Sequence, residues 1–412
     1  MVYFIVNCIC VLFCVSATFA SEIFYVGKGE NYTSIKSALS KATKGDRIIL
    51  KKGNYQEGEI IIDKEIELIG EDSPKIDGNN TYQPITIKAN NVTIKGITVV
   101  NSKRSYINDF AAVKAMNVRN LTINNCHFSN NYFAVYLSKC SNCTIKNNLI
   151  ESSSESETTS GNGIHQWYCD SIDIQDNTIR GHRDGIYLEF SHHAFIRNNI
   201  SEKNLRYGLH FMFSDSCTYI DNTFRNNGSG VAVMYTKHIT MIHNKFEHNW
   251  GSASYGMLLK EIYDSYMQGN TFTENTVGIF AESCNRNLIK GNEFTRNGWA
   301  IKVYSSSSEN SFVDNNFSGN SFNVSTNGTH NTNTFNGNYW SEYNGYDINH
   351  DGIGDVPFRP VRLFSLLIEK QPPALILLRS IFVDVMDIAE RIMPSLTPET
   401  LIDNEPKMKP NK

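Results

Sequence analysis

A glycine followed by alternating apolar residues recurs through the middle of the chain at intervals of 22 to 26 residues. The glycines, joined by an alanine in the seventh place, are Gly163, Gly185, Gly208, Gly230, Gly256, Gly278 and Ala300. A second marker, an asparagine followed two places later by phenylalanine or isoleucine, keeps the same period at Asn148, Asn177, Asn198, Asn222, Asn244, Asn270, Asn292, Asn315 and Asn333. A period of about 20 to 30 residues indicates one supersecondary unit that is stacked on copies of itself.

Each repeat contains short β-rich runs that are separated by Asn, Gly, Ser and Asp, and has no room for a helix beside its strands. This pattern predicts one coil of a right-handed, single-stranded parallel β-helix, of which we expect about ten. Asparagine tolerates left-handed turns, and stacked asparagine side chains can form hydrogen bonds along the axis. A leucine-rich repeat is the main competitor, but its Leu-x-x-Leu-x-Leu signature is missing.

The composition agrees with one elongated domain. The chain has 412 residues, 40% of them hydrophobic, and a net charge of -4. Length alone suggests two or three domains, but the repeat favours a single solenoid. The mildly acidic balance gives no electrostatic reason to expect nucleic acid as a partner.

The first twenty residues contain no charged side chain, and an apolar run extends from Phe4 to Ala17. This stretch is typical of a secretory signal peptide, with small residues at Ala17 and Ala20 for cleavage. A retained anchor is the alternative, although the run is short for a membrane-spanning helix.

The rest of the chain divides into four further segments. Residues 32–44 have helical spacing and predict a cap over the first coil. Residues 374–392 predict one amphipathic helix with Leu375, Leu378, Phe382, Val385, Ile388 and Ile392 on a stripe, followed by an extended arm. The expected boundaries are 1–20 signal peptide, 21–75 N-terminal cap and first coils, 76–338 parallel β-helix repeats, 339–360 Asp/Asn/Gly-rich loop, and 361–412 C-terminal helix and arm.

The cysteines allow two interpretations. Six remain after the predicted signal peptide: Cys126, Cys140, Cys143, Cys169, Cys217 and Cys284. They could pair in an oxidising compartment. Their positions in strand-like runs favour small buried thiols instead.

Alignment of the repeats on the glycine predicts which side chains face outward. The residue after the glycine is apolar in all seven repeats and faces the core. The next outward column is His165, Tyr187, His210, Ala232, Leu258, Phe280 and Lys302. The second outward column is Trp167, Glu189, Met212, Met234, Lys260, Glu282 and Tyr304.

Met212 and Met234 are predicted to stack directly, because adjacent coils lie about 4.8 Å apart. His210 lies beside Met212 on the same strand, facing solvent. Two thioethers and an imidazole suit a soft ion such as Cu(I). A protein contact surface is the alternative, and both can hold. Met241 and His243 lie nearby in sequence, but the pattern does not orient their strand.

A second candidate metal site is the loop that contains Asp347, Asn349, Asp351 and Asp355. Oxygen ligands at alternate positions with a glycine at the turn suit Ca²⁺, although no glutamate closes the loop as in an EF-hand. A loop rich in Asx turns is the alternative.

An enzyme is the main rival function, because many β-helices cleave polysaccharides. Such chemistry needs paired carboxylates on one outward face. Glu189 and Glu282 lie four coils apart, Asp184 lies at a turn, and Lys260 interrupts the column. The pattern therefore favours a protein that is not an enzyme.

Several segments resemble the NosD family: RYGLHFMF (Arg206 to Phe213), GVAVMY (Gly230 to Tyr235), YGMLLKEI (Tyr255 to Ile262), NYWSEYNGYDINHDGIGDVPFRPV (Asn338 to Val361), LLRS (Leu377 to Ser380) and ERIMPSLTPETLIDNEPKMKP (Glu390 to Pro410). The resemblance implies a periplasmic, pectin-lyase-like β-helix that takes part in maturation of nitrous oxide reductase. It implies association with an ABC transporter permease and its ATPase. It also implies copper delivery from a membrane-attached copper chaperone to the copper–sulfur cluster of the reductase.

The resemblance implies no catalytic residues. The cluster of His210, Met212 and Met234 is a separate inference from repeat geometry. With the family in view, the tail helix becomes a candidate dock for the permease; without it, the helix is a lid over the last coils. A polysaccharide-binding or polysaccharide-cleaving protein and a scaffold that binds no metal remain alternative functions.

Overall fold

The computed structural model describes residues 21–105, 107–328, 332–378, 380–393 and 401–411. The predicted signal peptide lies outside these residues. Three parallel sheets, named A, B and C in the order in which most coils visit them, run the length of the solenoid. The prediction of an all-β parallel β-helix with terminal helices is confirmed. The described chain forms about fourteen coils rather than ten, because the irregular early runs join the same three sheets.

The strands are short, and each sheet contains one strand from each successive coil. Sheet A comprises Ile23–Val26, Arg47–Leu50, Glu67–Gly70, Thr93–Lys95, Thr122–Asn124, Thr144–Lys146, Asp173–Gln175, Phe195–Arg197, Thr218–Ile220, Thr240–Ile242, Tyr266–Gln268, Leu288–Lys290, Ser311–Val313 and Thr334–Asn336. Sheet B comprises Asn54–Tyr55, Lys75–Asp77, Thr98–Val100, His127–Ser129, Leu149–Glu151, Thr178–Arg180, Ile200–Glu202, Thr223–Arg225, Lys245–Glu247, Thr271–Thr273, Glu293–Thr295, Asn316–Ser318 and Tyr339–Trp340. Sheet C comprises Ile60–Ile62, Ile85–Ile87, Ala111–Met116, Phe133–Ser138, Ile164–Trp167, Asp184–Glu189, Tyr207–Met212, Ser229–Lys237, Tyr255–Tyr263, Val277–Glu282, Trp299–Val303 and Phe322–Ser325.

The core is built from identical or similar side chains stacked along the axis. Inside sheet B, the rings of Phe224, Phe246, Phe272, Phe294, Phe317 and Trp340 stack with centroids 4.2 to 5.6 Å apart. Each of these rings is buried. Offset aromatic stacking adds to the free energy of burial, so the ladder favours this register of the coils.

The asparagines of the repeat also stack, as predicted. At the corner between sheets A and B, each side-chain amide donates to the next asparagine Oδ1 at 2.9 to 3.0 Å through Asn148, Asn177, Asn199, Asn222, Asn244, Asn270, Asn292, Asn315 and Asn338. The ladder member in the third of these coils is Asn199 rather than the predicted Asn198, which takes the left-handed turn position (φ 54°). Asn333 belongs to a separate ladder with Asn287 and Asn310.

A short helix, α1 (Ile35–Lys41), covers the first coil and buries Ile35, Ala38 and Leu39. The Ser34 hydroxyl accepts a hydrogen bond from the Ser37 amide at its N-terminus. At the other end, the Lys64 ammonium donates to two carbonyls at 2.8 and 2.9 Å. The helix is shorter than residues 32–44, because Ala42 leaves helical geometry (ψ 146°) and the chain turns to enter sheet A.

Asp46 joins this cap to the first strand, and its carboxylate predicts a pH dependence of the cap. It accepts from the backbone amides of Glu22 at 2.8 Å and Thr43 at 2.6 Å. Burial opposes the charge, but these hydrogen bonds outweigh it and lower the pKa of Asp46. The charged Asp46 carboxylate therefore stabilises the folded protein, and this stabilisation is fully present above the ordinary aspartate pKa of about 3.9. It is lost as pH falls through the lower pKa of the folded state.

We therefore expect Asp46→Asn to lower the melting temperature at neutral pH, and the difference from the wild type to shrink as the solution is acidified. Circular dichroism melts of both proteins between about pH 6 and 3 would measure this difference. Other carboxylates titrate in both proteins, so the difference isolates Asp46. A difference that stays constant with pH would contradict the prediction.

The C-terminal part differs from the single predicted helix over residues 374–392. Three helical elements are present: α2 (Leu363–Lys370), a 3₁₀ helix (Pro372–Leu377) and α3 (Ile381–Ile392). Helix α2 buries Phe364 and Ile368 against Phe322 of sheet C. The 3₁₀ helix ends at Leu378, where the backbone becomes extended (ψ 127°).

The arm at 401–411 lies along the last coils, with Leu401 and Asp403 fully buried. Isolated bridges pair Asp403 with Phe335 and Phe358, and Lys407 with Tyr339 and Ile353. The arm therefore forms part of the end of the solenoid. Among the described residues, the helices are all too short or too polar to cross a bilayer.

Candidate functional site

The two outward columns predicted on sheet C stack as expected. The register pairs His165 with Tyr187, Tyr187 with His210, and His210 with Ala232. In the second column it pairs Glu189 with Met212 and Met212 with Met234. The inference that residues distant in sequence become neighbours along the axis is confirmed for these columns. Their function as metal ligands stays a prediction.

Met212 and Met234 are partly exposed on the outer face of sheet C. The Tyr187 hydroxyl lies 3.9 Å from the Met212 sulfur and donates to it. On the far side of Met234, the column continues with Lys260, which pairs with Glu282 at 3.3 Å. The thioethers therefore lie between a phenol and an ion pair, and solvent can reach them.

His210 does not face solvent as predicted: only 5% of it is exposed. It lies in the outward column, but the rings of Tyr187 and Tyr207 cover it, each with its centroid 4.9 Å away. Its Nδ1 is 3.9 Å from the Asp184 carboxylate and 3.5 Å from the Arg206 guanidinium. Its Nε2 is buried and has no hydrogen-bond partner among the described residues. Sequence reasoning missed this covering because it depends on tyrosines of two different coils.

Asp184 is fully buried beneath this face. Two nitrogens of the Arg206 guanidinium donate hydrogen bonds to its two carboxylate oxygens, at 2.9 and 2.5 Å. Burial acts to raise the pKa of Asp184, but contacts with His210 and Arg206 lower it overall. The carboxylate is therefore held charged by a bidentate pair. Nδ1 of His210 faces this pair, and Nε2 is the ring nitrogen without a partner among the described residues.

A strip of four stacked aromatic residues runs beside the methionines and was not predicted. Tyr168, Phe190, Phe213 and Tyr235 stack with centroids 4.7 to 5.1 Å apart. All four have positive φ, between 49° and 55°, which bulky residues rarely adopt. Tyr168, Phe213 and Tyr235 are exposed. The signal was present in the sequence, since each ring directly follows a residue of the second outward column. We call these four residues the aromatic strip.

Met241 and His243 lie away from this face. Met241 is in sheet A with its side chain fully buried in the core. His243 occupies the turn between sheets A and B. Neither residue joins Met212 and Met234.

The loop predicted to bind calcium is exposed, and its oxygens accept hydrogen bonds from its own backbone. Asp347 accepts from the amides of Asp351 at 3.2 Å and Gly352 at 2.9 Å, and Asp355 accepts from Ile348 at 2.7 Å. These hydrogen bonds agree with the alternative of a loop rich in Asx turns, and calcium binding stays a prediction. Across the described chain, no three His, Cys, Asp or Glu side chains converge to hold a metal. A metal at sheet C would therefore depend on thioether sulfur.

The cysteines follow the buried-thiol interpretation. All six in the described chain are free and buried. Burial raises the pKa of Cys126 to about 11 and those of Cys217 and Cys284 to about 12. These three thiols are therefore poor nucleophiles at neutral pH.

The tail helices lie on the same face of the solenoid as the methionines. Lys302, in the outward column of sheet C, pairs with Glu369 of α2 at 2.5 Å. Helix α3 turns Val383 and Met386 toward α2 and exposes Ile381, Phe382, Val385, Ile388 and Ile392. Ile381 and Ile392 are 80% and 74% exposed. Helix α2 therefore covers the last coils of sheet C, and α3 presents an uncovered apolar stripe.

Comparison with known proteins gives two family matches. A family model described as periplasmic copper-binding protein (NosD) matches residues 152–345, which contain the methionine pair and the aromatic strip. A second model, rhamnogalacturonase A/epimerase, pectate lyase-like, matches residues 27–233. The first match ends at residue 345, so most of the tail segments on which the resemblance was based lie beyond it.

Two curated relatives are each named probable ABC transporter binding protein NosD. The protein from Stutzerimonas stutzeri is 28% identical over 152 residues, 36% of this chain and 30% of that protein. The protein from Pseudomonas aeruginosa is 28% identical over 152 residues, 36% of this chain and 31% of that protein. The match thus spans less than a third of the length of these relatives.

Solved structures agree on the fold. A family 28 exopolygalacturonase of Yersinia enterocolitica has a TM-score of 0.58 at 10% identity, covering 76% of this chain and 78% of that chain. PfbA, a surface adhesin of Streptococcus pneumoniae, has a TM-score of 0.51 at 12% identity, covering 74% and 85%. Identities this low concern the shape of the solenoid alone.

Proposed function

This chain belongs to the NosD family, and we propose from that membership that it is a periplasmic accessory protein in the maturation of nitrous oxide reductase. It handles copper for the copper–sulfur cluster together with an ABC transporter, and copper is its cargo rather than a resident cofactor. It is not an enzyme. Its partners are the transporter permease and its ATPase, a membrane-attached copper chaperone and the reductase.

The observation that carries this proposal is the register of Met212 and Met234 on the outer face of sheet C. Thioether sulfur binds Cu(I) in preference to harder ions. The unpaired Nε2 of His210 lies on the same face and supplies the third donor when its tyrosine cover moves. A site with two neutral sulfurs and a covered imidazole holds copper weakly enough to release it.

The aromatic strip supports the transfer step. Copper passes between two proteins only when their sites come into contact, so the face that carries the ligands must also dock. Phe213 and Tyr235 directly follow Met212 and Met234 in the chain. Exposed aromatic residues are enriched where proteins bind one another. We place the copper chaperone, and later the reductase, on this strip.

Helix α3 supports the attachment to the transporter. Its exposed stripe is apolar, whereas Asp384, Asp387 and Glu390 give the helix acidic character. An acidic helix is poorly suited to an anionic lipid surface, so the stripe fits an apolar groove of the permease. The protein then sits at the periplasmic side of the transporter complex. A structural Ca²⁺ at Asp347, Asn349, Asp351 and Asp355 is a separate proposal.

The copper step is tested by anaerobic titration with Cu(I) against a competing chelator. We expect the double variant Met212→Leu, Met234→Leu to bind Cu(I) at least about tenfold more weakly than the wild type. Leucine keeps the volume and apolar character of methionine, so the fold should be retained.

Met257→Leu is the matched control, because Met257 belongs to the same sheet but is fully buried in the core. Its affinity for Cu(I) should equal that of the wild type. Equal affinity in the double variant would remove this site. Co-purification with a permease without any copper binding by the wild type would favour a scaffold that binds no metal.

A further inference from the structure

A notch interrupts the corner between sheets A and B. One residue of left-handed conformation follows the sheet A strand in successive coils, and in most coils it carries a polar side chain: Asn125, Asn147, Asp176, Asn198, Asp221, His243 and Asp314. Between His243 and Asp314 the two intervening positions are Gly269 and Gly291, with φ of 63° and 61°. Two consecutive side chains are therefore missing between His243 and Asp314; Gly96 and Gly337 are the other glycines of this column.

The neighbours do not fill this gap equally. A Cβ at Gly269 would lie 2.5 Å from the His243 ring, so the imidazole leans over that glycine. A Cβ at Gly291 would meet no atom within 4 Å. The result is a cavity of about 660 Å³, within the range of about 300 to 1,000 Å³ found for small-molecule sites. From His243 to Asp314 it spans three coil steps, or about 14 Å.

The C-terminal arm closes one end of the notch. Lys407 and Asn411 of the arm line it. The Asn411 amide donates to Asn316 Oδ1 at 2.8 Å, and the Asn316 side chain donates to the Asn411 carbonyl at 3.1 Å. The Lys407 ammonium forms no ion pair with the described residues. The arm thus contributes an unpaired cation to a cavity whose other walls come from the coils.

The chemistry of the lining is polar and balanced in charge. Lys290 lies on the sheet A rim, and Glu293 lies across the notch on the sheet B rim. Lys407 and Asp314 supply one further charge of each sign. An anion or a cation would meet a like charge as well as an opposite one. A polyhydroxylated ligand both donates and accepts, so it can satisfy both rims.

We propose that the notch between His243 and Asp314 binds a neutral oligosaccharide of two to three sugar units. The coil spacing is close to the length of one unit in an extended β-linked sugar chain, so successive rungs present donors and acceptors to successive units. The imidazole of His243 forms a flat wall for a sugar ring. The notch lies at the corner between sheets A and B, away from the methionines on sheet C, so sugar binding is independent of copper handling.

The test is calorimetric titration of the full chain with cellotetraose and chitotetraose, and with tetragalacturonate as the acidic counterpart. We expect saturable binding of a neutral sugar by the wild type, and binding weakened at least about tenfold by Gly291→Asn. Asparagine tolerates the left-handed conformation and occupies the same column at Asn147 and Asn198, so this variant should fold. Lys407→Met, which removes only the arm's ammonium, should also weaken binding.

Gly319→Asn is the matched control, because Gly319 has a similar φ of 64° but lies at the corner after sheet B, outside the notch. It should bind as the wild type does. The proposal is overturned if no neutral sugar shows saturable binding at millimolar concentration. It is also overturned if Gly291→Asn binds as tightly as Gly319→Asn, or if tetragalacturonate binds more tightly than the neutral sugars.

Discussion

Replacing Asp403 with alanine is expected to destabilise the last coils by roughly 3 kcal/mol or more. The carboxylate is fully buried and ends the asparagine ladder. It accepts from the Gly337 amide at 3.1 Å, from the Asn338 amide and side chain at 3.0 Å, and from the Trp340 indole at 3.0 Å. Without it, four buried donors lose their acceptor, and each unsatisfied donor costs about 1 to 3 kcal/mol.

The effect should be local, because repeat proteins are stabilised mainly by contacts between neighbouring units. Hydrogen exchange should therefore rise most in Thr334–Asn336 and Tyr339–Trp340, with little change near the N-terminal coils. Asp403→Asn keeps one acceptor oxygen and should fall between the wild type and alanine. Glu405→Ala is the control, since Glu405 is an exposed acid of the same arm. Equal exchange in Asp403→Ala and Glu405→Ala would contradict the prediction.

The coils were predictable from the sequence because their contacts repeat. A Gly-apolar marker and an Asn marker at one period place Met212 on Met234 once the chain is assumed to be in register. The one-residue error at Asn198 has a local cause. Asn198 and Asn199 are adjacent, and the pattern does not reveal which of them takes the left-handed turn and which faces the ladder.

The end of the solenoid was not predictable in the same way. Asp403 meets Asn338 across 65 residues of chain, and this pairing occurs once. A single contact leaves no period to detect, so no repeating pattern predicts which residues of the last coils the arm contacts. The covering of His210 was missed for a related reason. The alternation rule gives the direction of a side chain, but the tyrosines that cover it come from its own strand and from the neighbouring coil.

If a transporter permease docks on α3 as proposed, binding of the permease should be lost when the exposed stripe of α3 is made polar. We expect the triple variant Ile381→Ser, Val385→Ser, Ile388→Ser to reduce affinity for the permease by about a hundredfold or more. Burial of one such side chain contributes about 1.5 to 3 kcal/mol, and even partial burial of three exceeds the 2.7 kcal/mol that a hundredfold change requires. Co-purification of the full chain with the detergent-solubilised transporter, followed by an affinity measurement, checks the prediction.

The fold of the variant should be intact, which separates docking from stability. All three residues are more than half exposed, and serine and isoleucine have similar helix propensities. The side chains that hold α3 against α2, Val383 and Met386, are unchanged. A control variant, Ile61→Ser with Ile107→Ser, removes exposed isoleucines from distant coils and should bind the permease as the wild type does. If the triple variant still binds the permease, α3 is not the dock, and the aromatic strip becomes the face to test next, because its stacked rings form an exposed apolar surface beside sheet C.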